Sequence, residues 1–429
     1  MKRIILLFLL LSFPAYAGGL IGGAANPNAA PTPTYSINFM SGSVGSFTFT
    51  RGSNQSCWNS SGVIAQVTGD NPCYEYDQFS LSPIGLLYEP TSTNLINDSQ
   101  DLNGTYWGTV NSPTLTPNAT QSPDGTVDAT TLTASSSFKG VYNNPGFTAA
   151  GNVPYTESLF VKYVSGSQTA FQAGTTSINA NIIFNPQTMT ITSVASLVTS
   201  SGVQYEGNGW YRFQWTFTAP ATVGCNFVLY PLTASQSITL ALWGMDVEQQ
   251  PMATSLIETT GTTATRNAES LVYSSPSFFN VSAGTLRFIY NPINNATYNQ
   301  LASFDDTTLS NRVSLAIATG GSIREDIGSG GVLSVNKFAP FSAVTANAYN
   351  VAVMNYSNSA AIGALSQNGP VQVGNGVGTG TFVAPVGISE LVLGNRDAAD
   401  PAPFLGHIQG FDYWNTALTV SQMSAAGAP

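Results

Sequence analysis

Two β-sandwiches in tandem, with almost no helix, are the fold class this sequence predicts. Three observations carry that expectation. Short apolar-rich stretches are broken roughly every ten residues by Gly, Pro, Asn and Ser, the punctuation of an all-β chain. Tyr211, Phe213, Trp215 and Phe217 alternate with Arg212, Gln214 and Thr216, the period-two pattern of a strand with one buried face. No long stretch repeats apolar residues at the helical period, and the best helix candidate is the short Val420-Ser421-Gln422-Met423 after Thr419.

Taken in order, residues 1–17 read as a secretory signal. Lys2 and Arg3 form a positive start, Ile4 to Phe13 an apolar run, and Ala15-Tyr16-Ala17 a small-x-small cleavage site that places the mature start near Gly18. The apolar run is about half the length a membrane-spanning helix needs. The expectation is therefore a secreted, extracellular protein. Residues 18–34 are a Gly, Ala, Asn, Pro and Thr linker. Residues 35–98 read as a hairpin-rich segment packed on the next domain. Within it Cys57 and Cys73 flank a hairpin whose turn is Asn59-Ser60-Ser61-Gly62. Export permits a disulfide between them, closing a loop of about fifteen residues and worth roughly 3 kcal/mol through chain entropy. Cys225, ahead of the apolar Phe227-Val228-Leu229, reads as a buried free thiol. Residues 99–250 form the first sandwich, 251–276 a linker, and 277–429 the second. In the last, Leu286, Phe288 and Tyr290 again alternate.

Composition narrows the function. Charged residues are 8% of the chain, against about 25% in ordinary globular proteins. Eighteen Tyr, 23 Phe and six Trp exclude a disordered chain. The net charge is −10, and no basic stripe with interleaved aromatics occurs, which argues against nucleic acid as a partner. One histidine, His407, and no Cys-x-x-Cys leave no zinc-ligand pattern. Any Ser-His-Asp triad would have to use that same imidazole, which reads as structural.

Several strings carry a resemblance. Gly85-Leu86-Leu87-Tyr88-Glu89-Pro90, Ser122-Pro123-Asp124-Gly125-Thr126, Gly207-Asn208-Gly209-Trp210-Tyr211-Arg212-Phe213 and Leu242-Trp243-Gly244-Met245-Asp246-Val247-Glu248 occur in that order. Together they resemble a module common in bacteriophage tail-fibre and head-spike proteins, a jelly-roll akin to carbohydrate-binding modules. Further on, Gly284-Thr285-Leu286-Arg287-Phe288, Ser366-Gln367-Asn368-Gly369 and Tyr413-Trp414-Asn415-Thr416-Ala417-Leu418 resemble a laminin-G or concanavalin A-like lectin sandwich. The Glu-x-Asp-x-Glu run of concanavalin A-like glucanases is missing, so no catalytic residue carries over.

The resemblance implies a non-catalytic adhesion protein, exported or virion-associated, gripping a surface polysaccharide or glycan. Sugar would stack on aromatic faces, with amides and carboxylates bonding its hydroxyls. Tyr106 and Trp107 are the candidate platform in the first sandwich. Tyr298, Asp305, Asp306 and Asn311, with Asp397 and Asp400, are candidate rim-loop groups in the second. A structural calcium is implied between Asp246 and oxygens near Asn94 to Asp98; no other cofactor is expected. Asp246 and Glu248 lie about 7 Å apart on one strand face, but at the end of a closing strand rather than in a cleft. The alternative is a structural decoration or assembly protein contacting itself or other virion or surface proteins. A polysaccharide-degrading enzyme is the weaker third reading.

Overall fold

The computed structural model describes residues 26 and 28–428, except 176, 294–297, 309, 340–343, 359–363, 374–381 and 397–402. The expected signal segment and the Asp397 and Asp400 loop lie outside the described residues. The all-β expectation holds: antiparallel sheets dominate, and the α-helix among the described residues is Val420–Gly427. It starts where the sequence places it, with Thr419 as N-cap and a reciprocal Gln422 contact.

The first sandwich pairs two sheets. One runs in the order Val198–Tyr205, Trp210–Thr218, Pro154–Gly166, Ile238–Glu248, Ala129–Ala134, Thr114–Thr120. The other runs Thr190–Val194, Ala180–Asn185, Phe171–Thr175, Phe227–Pro231, Gly140–Asn143, Trp107–Val110. Phe213, Trp215 and Phe217 fill the space between them with Leu159, Leu229 and Leu240, as their alternation predicts. The second sandwich is built the same way, around Phe288, Tyr290, Phe304, Leu315 and Phe411.

The two bodies are nested rather than sequential, which changes the expected boundaries. Strand Tyr35–Asn38 pairs with Gly406–Trp414, Thr48–Thr50 with Ser270–Ser274, and Pro83–Tyr88 again with Gly406–Trp414. Most strands expected to pack on the first sandwich therefore belong to the second, and Phe39, Phe49, Leu86 and Tyr88 join its core. Residues 251–276 are not a free linker either: Ala264–Arg266 pairs with Ser92–Asn94, and Ser270–Ser274 lies between two strands of a sheet. The reason is that Tyr35 meets Tyr413 and Leu87 meets His407, pairings too distant in sequence for local pattern to encode. Gly85 permits one such approach. Its φ is +139°, and a Cβ there would stand 2.8 Å from the Ile408 carbonyl oxygen.

Two parts of this segment lie on the first sandwich: Ser92–Asn94, which pairs with Ile238–Glu248 and is followed by the core residue Ile96, and the hairpin Gln55–Trp58 and Ile64–Val67. Ile64 and Trp58 pack against the outer face of its sheet, on Phe160, Trp210 and Trp243. Cys57 and Cys73 are joined in a disulfide, with Cα atoms 6.5 Å apart, and Leu87 packs on them. Cys225 is a buried free thiol.

The chain leaves the second sandwich after Tyr88 and returns through Arg266, and the two crossings run side by side. Thr91 Oγ1 donates to the Arg266 carbonyl at 3.0 Å. Around them lies a wholly buried charge network. Arg266 Nη1 sits 3.1 Å from Glu89 Oε2, and Arg51 Nη1 sits 3.6 Å from Glu269 Oε1. Glu89 also accepts from the Ser255 amide at 2.7 Å, the Ser255 hydroxyl at 2.6 Å and Gln55 at 3.0 Å. Burial alone would raise the Glu89 carboxyl, but Arg266 and these donors hold it below the ordinary value. In a chain with so few charges these are gathered where the two crossings meet, and removing one partner there would leave the other buried and uncompensated.

Candidate functional site

Beside that junction opens a cavity of about 600 Å³, within the range that takes a small ligand. Its floor is the outer face of the first sandwich. Gln204, Arg212 and Gln214 line it, and Gln204 pairs with Arg212 across adjacent strands. The polar members of the alternating strand therefore face the cavity while Phe213 and Trp215 face the core. The opposite wall comes from the second sandwich: Glu75 and Tyr76 of strand Tyr74–Tyr76, Asp77 and Gln78 of the turn that follows, with Asn291 and His407. Trp58 closes one side.

Each polar group is placed by its backbone. Strand Val198–Tyr205 turns into Trp210–Thr218 through Gly207, Asn208 and Gly209, with φ of +80°, +50° and +83°. Three left-handed residues in succession suit Gly-Asn-Gly and little else. The turn holds Glu206 at its mouth, where its amide donates to the Trp210 carbonyl at 2.8 Å. Arg212 Nη2 donates to Ser158 Oγ at 3.0 Å and to the Thr254 carbonyl at 2.8 Å, and its guanidinium lies over the Phe160 ring. His407 Nε2 meets Glu75 Oε2 at 2.5 Å. A carboxylate only accepts, so Nε2 carries the proton. Asp77 accepts from the Phe79 and Ser80 amides at 3.1 and 2.7 Å, and chiefly the Ser80 bond keeps its carboxyl below the ordinary value.

What marks this cavity is unmet hydrogen bonding. Gln78 Oε1, Glu206 Oε2, Arg212 Nε, Asn291 Oδ1 and His407 Nδ1 are all buried atoms without a partner, and all five residues line it. Such atoms are costly unless something else meets them; they occur away from the cavity too, Arg266 Nε, Asp246 Oδ1 and Tyr290 Oη among them. Glu206 is 6% exposed. Burial pushes its carboxyl up to about 7, opposed by Arg212 and Gln78 and reinforced by the Glu75 charge. At the rim, Phe79 and Tyr205 stack at 5.7 Å and 11°, yet remain 57% and 44% exposed. Gln78 Nε2 ties the two sides together, donating to the Tyr205 carbonyl at 3.1 Å.

The residues singled out from sequence fall elsewhere. Trp107 is buried in the core of the first sandwich, its indole N–H donating to the Asp98 carbonyl at 2.8 Å, so its ring offers no free face. Tyr106 packs half-buried against the same core. Tyr298 is half-buried, with the Arg324 and Arg396 guanidiniums each 5.3 Å from its ring. Asp305 is buried and accepts from the Thr307 amide at 3.0 Å. Asn311 donates to Asp306 at 2.7 Å and accepts from the Gly330 amide at 3.1 Å. These groups brace turns and sheet edges, and none of them lines the cleft.

The residues implied for calcium are partly engaged by backbone amides, while Asp246 Oδ1 is buried without a partner. Asn94 Oδ1 accepts from the Ile96 and Val247 amides, and Asp246 Oδ2 from the Ile257 amide at 3.1 Å. Burial, then the Glu248 charge, raises the Asp246 carboxyl well above its ordinary value. Among the described residues, no cluster of three or more His, Cys, Asp or Glu is placed to hold a metal.

Sequence reasoning missed the cleft because its groups come from four distant stretches, around 75–78, 204–214, 291 and 407. His407 between Gly406 and Ile408 gave no hint of Glu75. The one local signal was Arg212 and Gln214 on the polar face of an aromatic strand.

No family model matches the chain, and no curated protein does. Among solved structures, it is similar to the CBM40 module of a Ruminococcus gnavus IT-sialidase bound to α2,3-sialyllactose. Identity there is 17% and the TM-score 0.30, covering 35% of this chain and 84% of that one. Domain 4 of AbnA, a GH43 extracellular arabinanase of Geobacillus stearothermophilus in complex with arabinotriose, gives 15%, 0.29, 37% and 73%. A heptameric SAP-like pentraxin of Limulus polyphemus gives 12%, 0.25, 34% and 71%. At these TM-scores the likenesses are too loose to carry a function to this chain.

Proposed function

We propose that this is an exported adhesion protein that binds glycan in the cleft between its two sandwiches. One observation carries the reading: five residues that line one cavity each keep a buried polar atom without a partner, and Phe79 and Tyr205, next in sequence to the lining residues Gln78, Gln204 and Glu206, form an exposed pair of stacked aromatic rings. Sugars meet both needs, since hydroxyls donate and accept in many directions and a pyranose face packs on an aromatic ring. The amides of Gln78, Gln204, Gln214 and Asn291 bond hydroxyls, while Phe79 and Tyr205 take the apolar face. A role in a virion, of the kind phage fibre and spike proteins perform, rests on the sequence resemblance alone.

A glycan array tests it. The wild-type chain is expected to give discrete positive spots, and the Phe79→Ala/Tyr205→Ala double variant to lose at least about tenfold in affinity while melting at the same temperature. A flat array from folded protein, with self-association on sizing, overturns the reading in favour of an assembly protein.

A further inference from the structure

The charges in the cleft specify more than sugar in general. Three of its carboxyls are already committed: Glu75 to His407, Glu89 to Arg266, and Asp77 to the amides of its own turn. Two groups are not. Arg212 makes no ion pair with a carboxylate among the described residues, although the chain holds 22 acids against 12 Lys and Arg. Its Nε, one of the five donor directions of a guanidinium, is buried and unmet. Glu206, nine-tenths buried, keeps Oε2 unmet in the same cavity.

We propose that the cleft selects a glycan bearing a carboxylate, a uronic-acid sugar, whose acid group seats on Arg212 beside Glu206. This deepens the glycan reading and depends on it. A neutral sugar would leave the Arg212 charge without a counter-charge, and an amino sugar would be repelled by it. A carboxylate satisfies both groups with charge-assisted bonds. The net charge of −10 opposes a polyanion at long range, but that field is screened within about 8 Å at physiological salt, whereas Arg212 acts at contact.

The pairing is proton-linked. Burial first, with the Glu75 charge adding and Arg212 and Gln78 opposing, places the Glu206 carboxyl at about 7. The other titratable lining groups, Asp77, Glu89 and His407, are held in the contacts given above. Below that pH Glu206 can donate to the sugar acid, which stays ionised; above it two carboxylates face each other. Affinity therefore falls as pH rises through neutrality.

The test is titration calorimetry of the full chain with oligogalacturonate, oligomannuronate and hyaluronate fragments, each paired with its methyl ester. The ester keeps the sugar and removes the charge. At pH 6 at least one acid form is expected to bind at least about tenfold tighter than its ester, with that preference shrinking by pH 8. Glu206→Gln, which keeps a donor at every pH, is expected to bind the acid equally at both values. Arg212→Lys is expected to lose most of the preference; should it fail to fold, Glu206→Gln decides alone. Esters binding as tightly as acids, or a pH profile unchanged in Glu206→Gln, overturn the inference and leave glycan binding standing. No binding by any member, acid or ester, from protein that gives positive spots on the glycan array removes this inference alone; a flat array removes both.

Discussion

Two neighbouring regions of this molecule bury the same kinds of side chain to opposite ends. At the double crossing, Arg266 and Glu89 lie 3.1 Å apart, and Glu89 takes three further hydrogen bonds. In the cleft beside it, Arg212 and Glu206 make no ion pair with each other among the described residues, and each keeps a buried atom without a partner. Both regions keep buried atoms without a hydrogen-bond partner, Arg266 Nε and Glu269 Oε1 at the crossing included; what separates them is that the crossing is ion-paired while the other pair of groups lines a cavity. The contrast matters more here than in an average protein, because with 8% charged residues few charges are placed without consequence.

The sharpest way to break the contrast is to remove one partner on the fastened side. Arg266→Met leaves Glu89 buried and uncompensated, and is expected to cost about 3–5 kcal/mol in denaturant unfolding. Glu206→Gln, on the open side, is expected to change stability far less. A similar loss from both would mean that the two regions do not differ. Next in size is the disulfide. Cys57→Ala/Cys73→Ala removes a sixteen-residue closure and is expected to cost about 3 kcal/mol, with glycan affinity reduced because the turn carrying Asp77 and Phe79 is anchored next to it.

A third comparison sets Glu206 against Glu157. Both are buried, but Glu157 accepts from Thr175 Oγ1 at 2.6 Å and Trp215 Nε1 at 2.7 Å inside the first sandwich. Burial nonetheless raises its carboxyl to about 8. The folded state thus keeps a proton that the unfolded chain gives up above about 4.5. Stability from this group is full below that pH and declines as pH rises toward 8. Glu157→Gln should flatten the stability profile between about pH 5 and 8 by on the order of 4 kcal/mol, without touching glycan binding. An unchanged profile would show that Glu157 is ionised in place. The smallest effect is expected at the platform first suspected from sequence. Tyr106→Ala should alter glycan affinity by less than about twofold, since Tyr106 packs on the core and lies outside the cleft.

How much of this was legible in the residues depended on range. The strand 210–218, the hairpin closed by Cys57 and Cys73 and the helix after Thr419 could be read, because each rests on neighbours in sequence. Nesting could not be. Tyr35–Asn38 carries no mark that its partner lies at 410–413, and one antiparallel edge can pair with many others. Trp107 misled for a related reason. Its Gly-rich context resembles an exposed loop, while its burial against Phe227 is decided by tertiary packing. The cleft failed to show because Glu75, Glu206 and His407 gain their meaning only from one another.

The chain supplies its own reporter for the central claim. His407 is the one histidine in the sequence, it lines the cleft, and its Nδ1 is unmet. Imidazole resonances recorded during titration with an array-positive oligosaccharide therefore report on this cavity alone. The account predicts that they shift in step with binding and stay fixed when the Phe79→Ala/Tyr205→Ala protein is titrated. Saturable binding with the imidazole signals unmoved would place the glycan elsewhere and contradict it.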